Sequence, residues 1–129
     1  MKYLLGPLMP MPIYLTLFTD EKSYDRWIRR EKIKTGKDFV SNDANGCCHF
    51  FENTEGGATA VAVCLNVEKL VKKDTIGQAC TIIHEAVHVY QECIRFLGET
   101  NPGDEFAAYS IQNISEQLMR AYVSQMEIV

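Results

Sequence analysis

The sequence predicts an α+β domain, a small mixed β-sheet packed on helices. Three observations carry this reading. Ile13 to Phe18 and Ala58 to Leu65 are β-branched, aromatic or alternating segments, as strands are. Two long stretches toward the C-terminus repeat apolar residues at helical spacing. The order strand, helix, strand, strand, helix, helix fits a layered arrangement of helices against a sheet. The chain has 129 residues and 47% apolar content, so residues 1–129 form a single domain with a compact core.

Met1 to Pro12 reads as an extended arm, because prolines at 7, 10 and 12 forbid helix. Ile13 to Phe18 follows as a strand. Thr19 or Asp20 caps a helix from Glu21 to Ile33, with Tyr24, Trp27 and Ile28 as its apolar stripe. Thr35 to Asn45 is polar and rich in turn residues. Cys47 to Glu52 and Ala58 to Leu65 are strand-like, and Asn53-Thr54-Glu55-Gly56-Gly57 between them predicts a hairpin. Val67 to Lys72 is a short helix or a link. Asp74 or Thr75 opens a helix that runs to Leu97 and stops at Gly98, which suits a left-handed cap. Ile76, Cys80, Ile83, Val87 and Ile94 mark its expected buried side. A last helix from Glu105 to Gln125 buries Ala107, Ile111, Ile114, Leu118 and Tyr122.

A formal charge of −4 and a pI near 5.3 argue against nucleic-acid binding. The locally basic run from Asp25 to Lys37 reads as a solvated helix face. No apolar run is long enough to span a membrane. The apolar N-terminus has prolines and lacks a small-residue cleavage site, so it does not read as a signal peptide. Five cysteines, an odd count with no C-x-x-C spacing, exclude a complete disulfide framework and suit a reducing compartment such as the cytoplasm. Cys64, Cys80 and Cys93 are expected as small core residues. Cys47-Cys48-His49 has the residue types of a metal site, but thiols buried in a strand or loop is the favoured reading.

The chemistry concentrates in His84-Glu85-Ala86-Val87-His88, an H-E-x-x-H motif inside the expected helix. Residues four apart share a helix face, so both imidazoles can address one ion. Glu85 is rotated by about 100° from His84 and meets the attacking water beside the ion. Two His ligands and a carboxylate general base are the pattern of a zinc hydrolase. One more protein ligand is needed. Glu105, in the first turn of the next helix, is the candidate, because a short turn makes the two helices antiparallel neighbours.

From His84 to Gln112 the chain resembles the gluzincins, the thermolysin-like zinc peptidases. It is most similar to their minimal members, often encoded by bacteriophages. The resemblance covers about the last third of the chain. It implies a zincin-like fold with an H-E-x-x-H helix followed by a Glu-bearing helix. It also implies Zn²⁺ held by His84, His88 and Glu105, with Glu85 catalytic. The substrate would be a peptide or protein, cleaved in the cytoplasm (a host cytoplasm for a phage product). Tyr109, on the face of Glu105, is where such enzymes usually carry an acidic residue. It is a candidate catalytic donor, a support for a ligand His, or a packing residue. Gln91 and Arg95 continue the histidine face. In zincin folds the strand shortly before the motif helix borders the cleft, which here designates Ala58 to Leu65 as an edge wall for substrate. The alternative function is a non-catalytic zincin-fold interaction module.

Overall fold

The structure is a computed structural model that describes residues 3–7, 13–34, 37–52 and 59–127. Its elements are β1 (Tyr3–Pro7), β2 (Ile13–Phe18), α1 (Glu21–Arg30), β3 (Gly46–Phe51), β4 (Thr59–Leu65), α2 (Val67–Leu70), α3 (Thr75–Leu97) and α4 (Asp104–Glu127). The mixed α+β class is as expected. Within the expected N-terminal arm, Tyr3–Pro7 is a strand that pairs antiparallel with β2, and the rest of the arm lies outside the described residues. The turn expected at 53–57 lies outside the described residues, although β3 and β4 do pair antiparallel as a hairpin requires.

The strands lie in the order β1-β2-β4-β3. β2 and β4 are parallel, with Ile13 opposite Thr59 and Phe18 opposite Cys64. A parallel pair needs a crossover, and α1 lies within that connection. This order overturns the expectation that Ala58 to Leu65 forms an exposed wall. β4 is hydrogen-bonded on both sides, and β1 and β3 are the edges. β4 is the most apolar strand, and its residues Val61 to Leu65 are all buried, which suits a central position.

Side-chain alternation divides the sheet into two faces. Ile13, Leu15 and Leu17 of β2, with Val61, Val63 and Leu65 of β4, pack against Ala86, Val89 and Leu118 of the long helices. Phe18, Ala62 and Cys64 point the other way, toward Tyr24 and Trp27 of α1. The sheet is thus a middle layer. Each fully buried Leu, Val or Ile here contributes about 1.5–3 kcal/mol. Trp27 is a core residue, as its place in the α1 stripe predicts.

Local signals set the helix ends. Asp20 accepts a hydrogen bond from the Ser23 amide at 2.8 Å and caps α1. α1 stops at Arg30, three residues before the expected end; Glu31 is its C-cap and Lys32 takes a left-handed φ of 55°. Asp74 caps α3 through the Gly77 amide at 2.7 Å. Gly98 ends α3 with φ 74°, a conformation that costs glycine little.

The buried side of α3 differs in part from the expected one, although Ile94 packs on the core as expected. Ile82, Ala86, Val89 and Cys93 face the core, while Ile76, Cys80 and Ile83 are exposed. Both stripes have helical spacing. The stripe with small Ala86 at its centre packs against the sheet. Cys80 is therefore not a core residue; Cys64 and Cys93 are. α4 buries Ile114, Leu118 and Tyr122 as expected, with Ala107 and Ile111 partly buried on the same core.

The C-terminal end of α4 is fastened to the end of β2. Gln125 donates through Nε2 to the Leu17 carbonyl at 3.0 Å. Its Oε1 accepts from the Thr19 hydroxyl at 2.8 Å.

Candidate functional site

α3 crosses the sheet so that its middle turns lie beside the edge strand β3. Between them is a cleft of about 300 Å³ lined by Gly46, Cys47 and Cys48 of β3 and by His84, Glu85, His88 and Glu92 of α3. The motif residues are thus gathered at a solvent-open cleft, on a rigid helix and against a strand.

His84 and His88 are exposed, and their Nε2 atoms lie 3.2 Å apart. Two nitrogens bound at about 2.0–2.1 Å to one tetrahedral ion stand about 3.3 Å apart. The observed spacing therefore matches that of two ligands on one ion. Gln91 orients the second ring: its Oε1 lies 3.1 Å from His88 Nδ1. An amide oxygen only accepts, so the tautomer with hydrogen on Nδ1 satisfies this contact and leaves Nε2 for a metal ion.

Glu85 behaves differently from its neighbours. Only 4% of it is exposed, and Oε1 is buried with no hydrogen-bond partner. Burial pushes its carboxyl above the ordinary carboxylate range, against the lowering influence of His84 and His88. An unpartnered buried oxygen costs about 1–3 kcal/mol. A carboxyl held at that cost at the edge of a cleft, with its proton affinity raised, is suited to taking up and giving back protons.

Glu105 and Tyr109 stand elsewhere. Both are exposed on the first turns of α4, and neither lines the cleft. Glu105 lies two residues, about 200° of helix rotation, from Ala107, which faces the core. The apolar stripe of α4 thus determines where Glu105 points. Tyr109 is 66% exposed and does not pack between the helices. Arg95 pairs with Glu92.

The other cleft residues carry no motif. Gly46, Cys47 and Cys48 reach the site only because β3 is an edge strand. Glu92 continues the helix one turn beyond His88, and that spacing alone could have singled it out.

A second group lies on β3 and β4. Cys47, His49 and Cys64 bring their ligand atoms within 4.8 Å of one another and could hold a metal ion. It is the grouping of three such donors found among the described residues; His84, His88 and Glu105 are not so close. Cys64 and His49, both hydrogen-bonded to Cys47, bring its thiol down to about 5, against the opposing effect of burial. Burial, and then that same Cys47 contact, drive Cys64 far upward. The Cys47 contact raises His49 against its own burial.

Among the described residues no helix is long and apolar enough to cross a membrane. No family model, curated protein or solved structure matches the chain.

Proposed function

We propose that the chain is a zinc-dependent metallopeptidase of the minimal gluzincin kind. The carrying observation is the paired Nε2 atoms of His84 and His88, 3.2 Å apart beside a buried Glu85 carboxyl with an unpartnered oxygen. A structural site has no use for that carboxyl. A hydrolytic site does.

His84 and His88 would hold the ion, and Glu105 is the proposed third protein ligand. Glu92 lines the same cleft but is paired with Arg95. It also lies eight residues, about 12 Å of helix rise, from His84. Glu105 is on a separate helix and is free of that constraint, but the first turn of α4 must shift to bring it to the histidines. Zinc, when bound, supplies Lewis-acid activation of water and carbonyl. Glu85 takes the proton released by the attacking water and passes it to the leaving nitrogen. Its burial keeps it protonatable nearer to neutrality than an exposed glutamate. Tyr109 shares a helix face with Glu105 and would follow it toward the site as a hydrogen-bond donor to the developing oxyanion.

The proposed substrate is a peptide or protein. Of the two sheet edges, β3 lines the cleft and is the one placed to receive an extended backbone there, unlike the central β4. A reducing, cytoplasmic location suits five cysteines that are all free thiols.

The exposed position of Glu105 favours a second reading, a zincin-fold interaction module without catalysis. Elemental analysis and a proteome-wide cleavage comparison of wild type with Glu85→Gln separate the two. Zinc in both proteins and cleavage by wild type alone support the peptidase. Identical cleavage profiles exclude it.

A further inference from the structure

Strand β3 carries chemistry on both faces. Its Cys48 and Phe50 side packs toward α3, and its Cys47, His49 and Phe51 side faces α1 and the 37–40 segment. On that second face the register is informative. Cys47 is the direct partner of Cys64 across the β3–β4 ladder. His49 is two residues along the same strand, so its ring lies on the same face, and its own partner is the small Ala62. Two thiols and an imidazole therefore converge from adjacent strands with no helix needed to bring them together.

We propose that Cys47, Cys64 and His49 form a separate structural metal site that takes a thiophilic divalent ion such as zinc. The distances suit this. His49 Nε2 lies 3.3 Å from Cys47 Sγ. Nitrogen and sulfur on one tetrahedral zinc stand about 3.6 Å apart, given bonds of about 2.0–2.1 and 2.3 Å. A fourth donor is also present: the Phe39 carbonyl oxygen is 2.9 Å from Cys47 Sγ and 3.2 Å from His49 Nε2. The Asp38 carbonyl, 2.7 Å from the same nitrogen, competes for it in the metal-free protein. Two sulfurs select zinc, cadmium or cobalt(II) over magnesium or calcium.

Binding is balanced by protons. Cys64 releases its thiol proton as its sulfur joins the metal, while Cys47, brought down to about 5 by its Cys64 and His49 contacts, binds as the thiolate it already is near neutrality. The imidazole binds through Nε2 with its hydrogen on Nδ1. Cys64 is fully buried, and Tyr24 and Phe39 pack over the group. With four protein donors and an aromatic cover, the site has no open position for substrate. Its consequence is mechanical: it fastens the 38–39 segment to the α1 face of the sheet.

The test is cobalt(II) titration of the full chain under reducing conditions, in a His84→Ala/His88→Ala background that removes the other site. A sulfur-to-cobalt charge-transfer band saturating at one equivalent is expected. The band should vanish in Cys47→Ser and in Cys64→Ser, and persist in Cys48→Ser and Cys80→Ser. Cys47 is only half-buried, so its variant decides the question if the Cys64 variant does not fold. No band in the background protein, a band unchanged in Cys47→Ser, or consumption of both thiols in a Cys47–Cys64 disulfide without bound metal would overturn the proposal. Because the histidine pair is absent throughout, failure here leaves the peptidase reading untouched, and the reverse also holds.

Discussion

Gly46 stands so close to the Glu85 carboxyl that a Cβ on it would lie 3.3 Å from Oε2. The same Cβ would meet the Cys64 carbonyl oxygen and Leu65 Cδ2, each at 3.1 Å. The edge strand thus approaches the motif helix where a side chain is missing. The buried position of Glu85 depends on that gap.

Gly46→Ala is expected to displace the carboxyl, because the Cys64 carbonyl belongs to the central strand and cannot yield. Overpacking of this kind costs about 1–3 kcal/mol. Thermal unfolding should register the loss. Hydrolytic activity should fall while zinc content is retained. A variant with the stability and activity of wild type would show that the contact has no role.

Removing His88 should weaken zinc binding by more than about 100-fold, whereas Gln91→Ala should cost about 10–100-fold, as loss of a ligand's hydrogen-bond partner does. Chelator competition measures both. Equal effects, or none in either variant, would contradict the orientation ascribed to Gln91.

The metal-free protein should carry a pH signature of Glu85. Its folded pKa is raised by burial, so the native state holds a proton that the unfolded chain releases. The associated stability is fully present below the ordinary glutamate pKa of about 4.3 and is lost as pH rises through the raised folded value. Glu85→Gln cannot ionise and should lack this decline. Denaturant midpoints of the two proteins across that window provide the check; parallel curves would count against a buried, protonatable Glu85. In the zinc-loaded enzyme the same variant should keep its metal and lose about 10²–10⁴-fold in turnover.

Glu105→Ala should lower zinc affinity as His88→Ala does, and Glu92→Ala should leave it within about tenfold, since loss of a surface pair partner costs only about 0–1 kcal/mol. Hydrogen exchange should slow in the first turn of α4 when zinc is added. Unchanged affinity in Glu105→Ala removes it from the ligand set. Tyr109→Phe should keep the zinc, with any loss confined to turnover.

Gln125→Ala breaks both hydrogen bonds that fasten α4 to the end of β2. The Leu17 carbonyl then loses a partner at a partly buried position. A loss of about 1–3 kcal/mol is expected, with zinc affinity unaltered. A change under about 0.5 kcal/mol, the usual scatter of surface substitutions, would show that the fastening is not structural.

What the sequence determined by itself is local. Asp20, Asp74 and Gly98 mark helix ends because a cap involves residues only three or four apart. His84, Glu85 and His88 form one cluster because a single helix positions them. The strands around Leu15, Phe50 and Val63 are legible because alternation is a property of each segment alone. Tertiary structure decided whatever depends on distant segments. Ile76, Cys80 and Ile83 have the spacing of a buried stripe, yet the sheet accepts the stripe of Ile82, Ala86 and Val89 instead. β4 looks as suitable for an edge as β3 until its parallel pairing with β2 places it in the centre. Glu105 lies one turn and one helix from the histidines in the chain, but α4 orients it by burying Ala107 and Ile111. Cys64 meets Cys47 and His49 only through the β3–β4 register. Each of these outcomes is a competition among apolar surfaces for one core, and no single segment contains the terms of that competition.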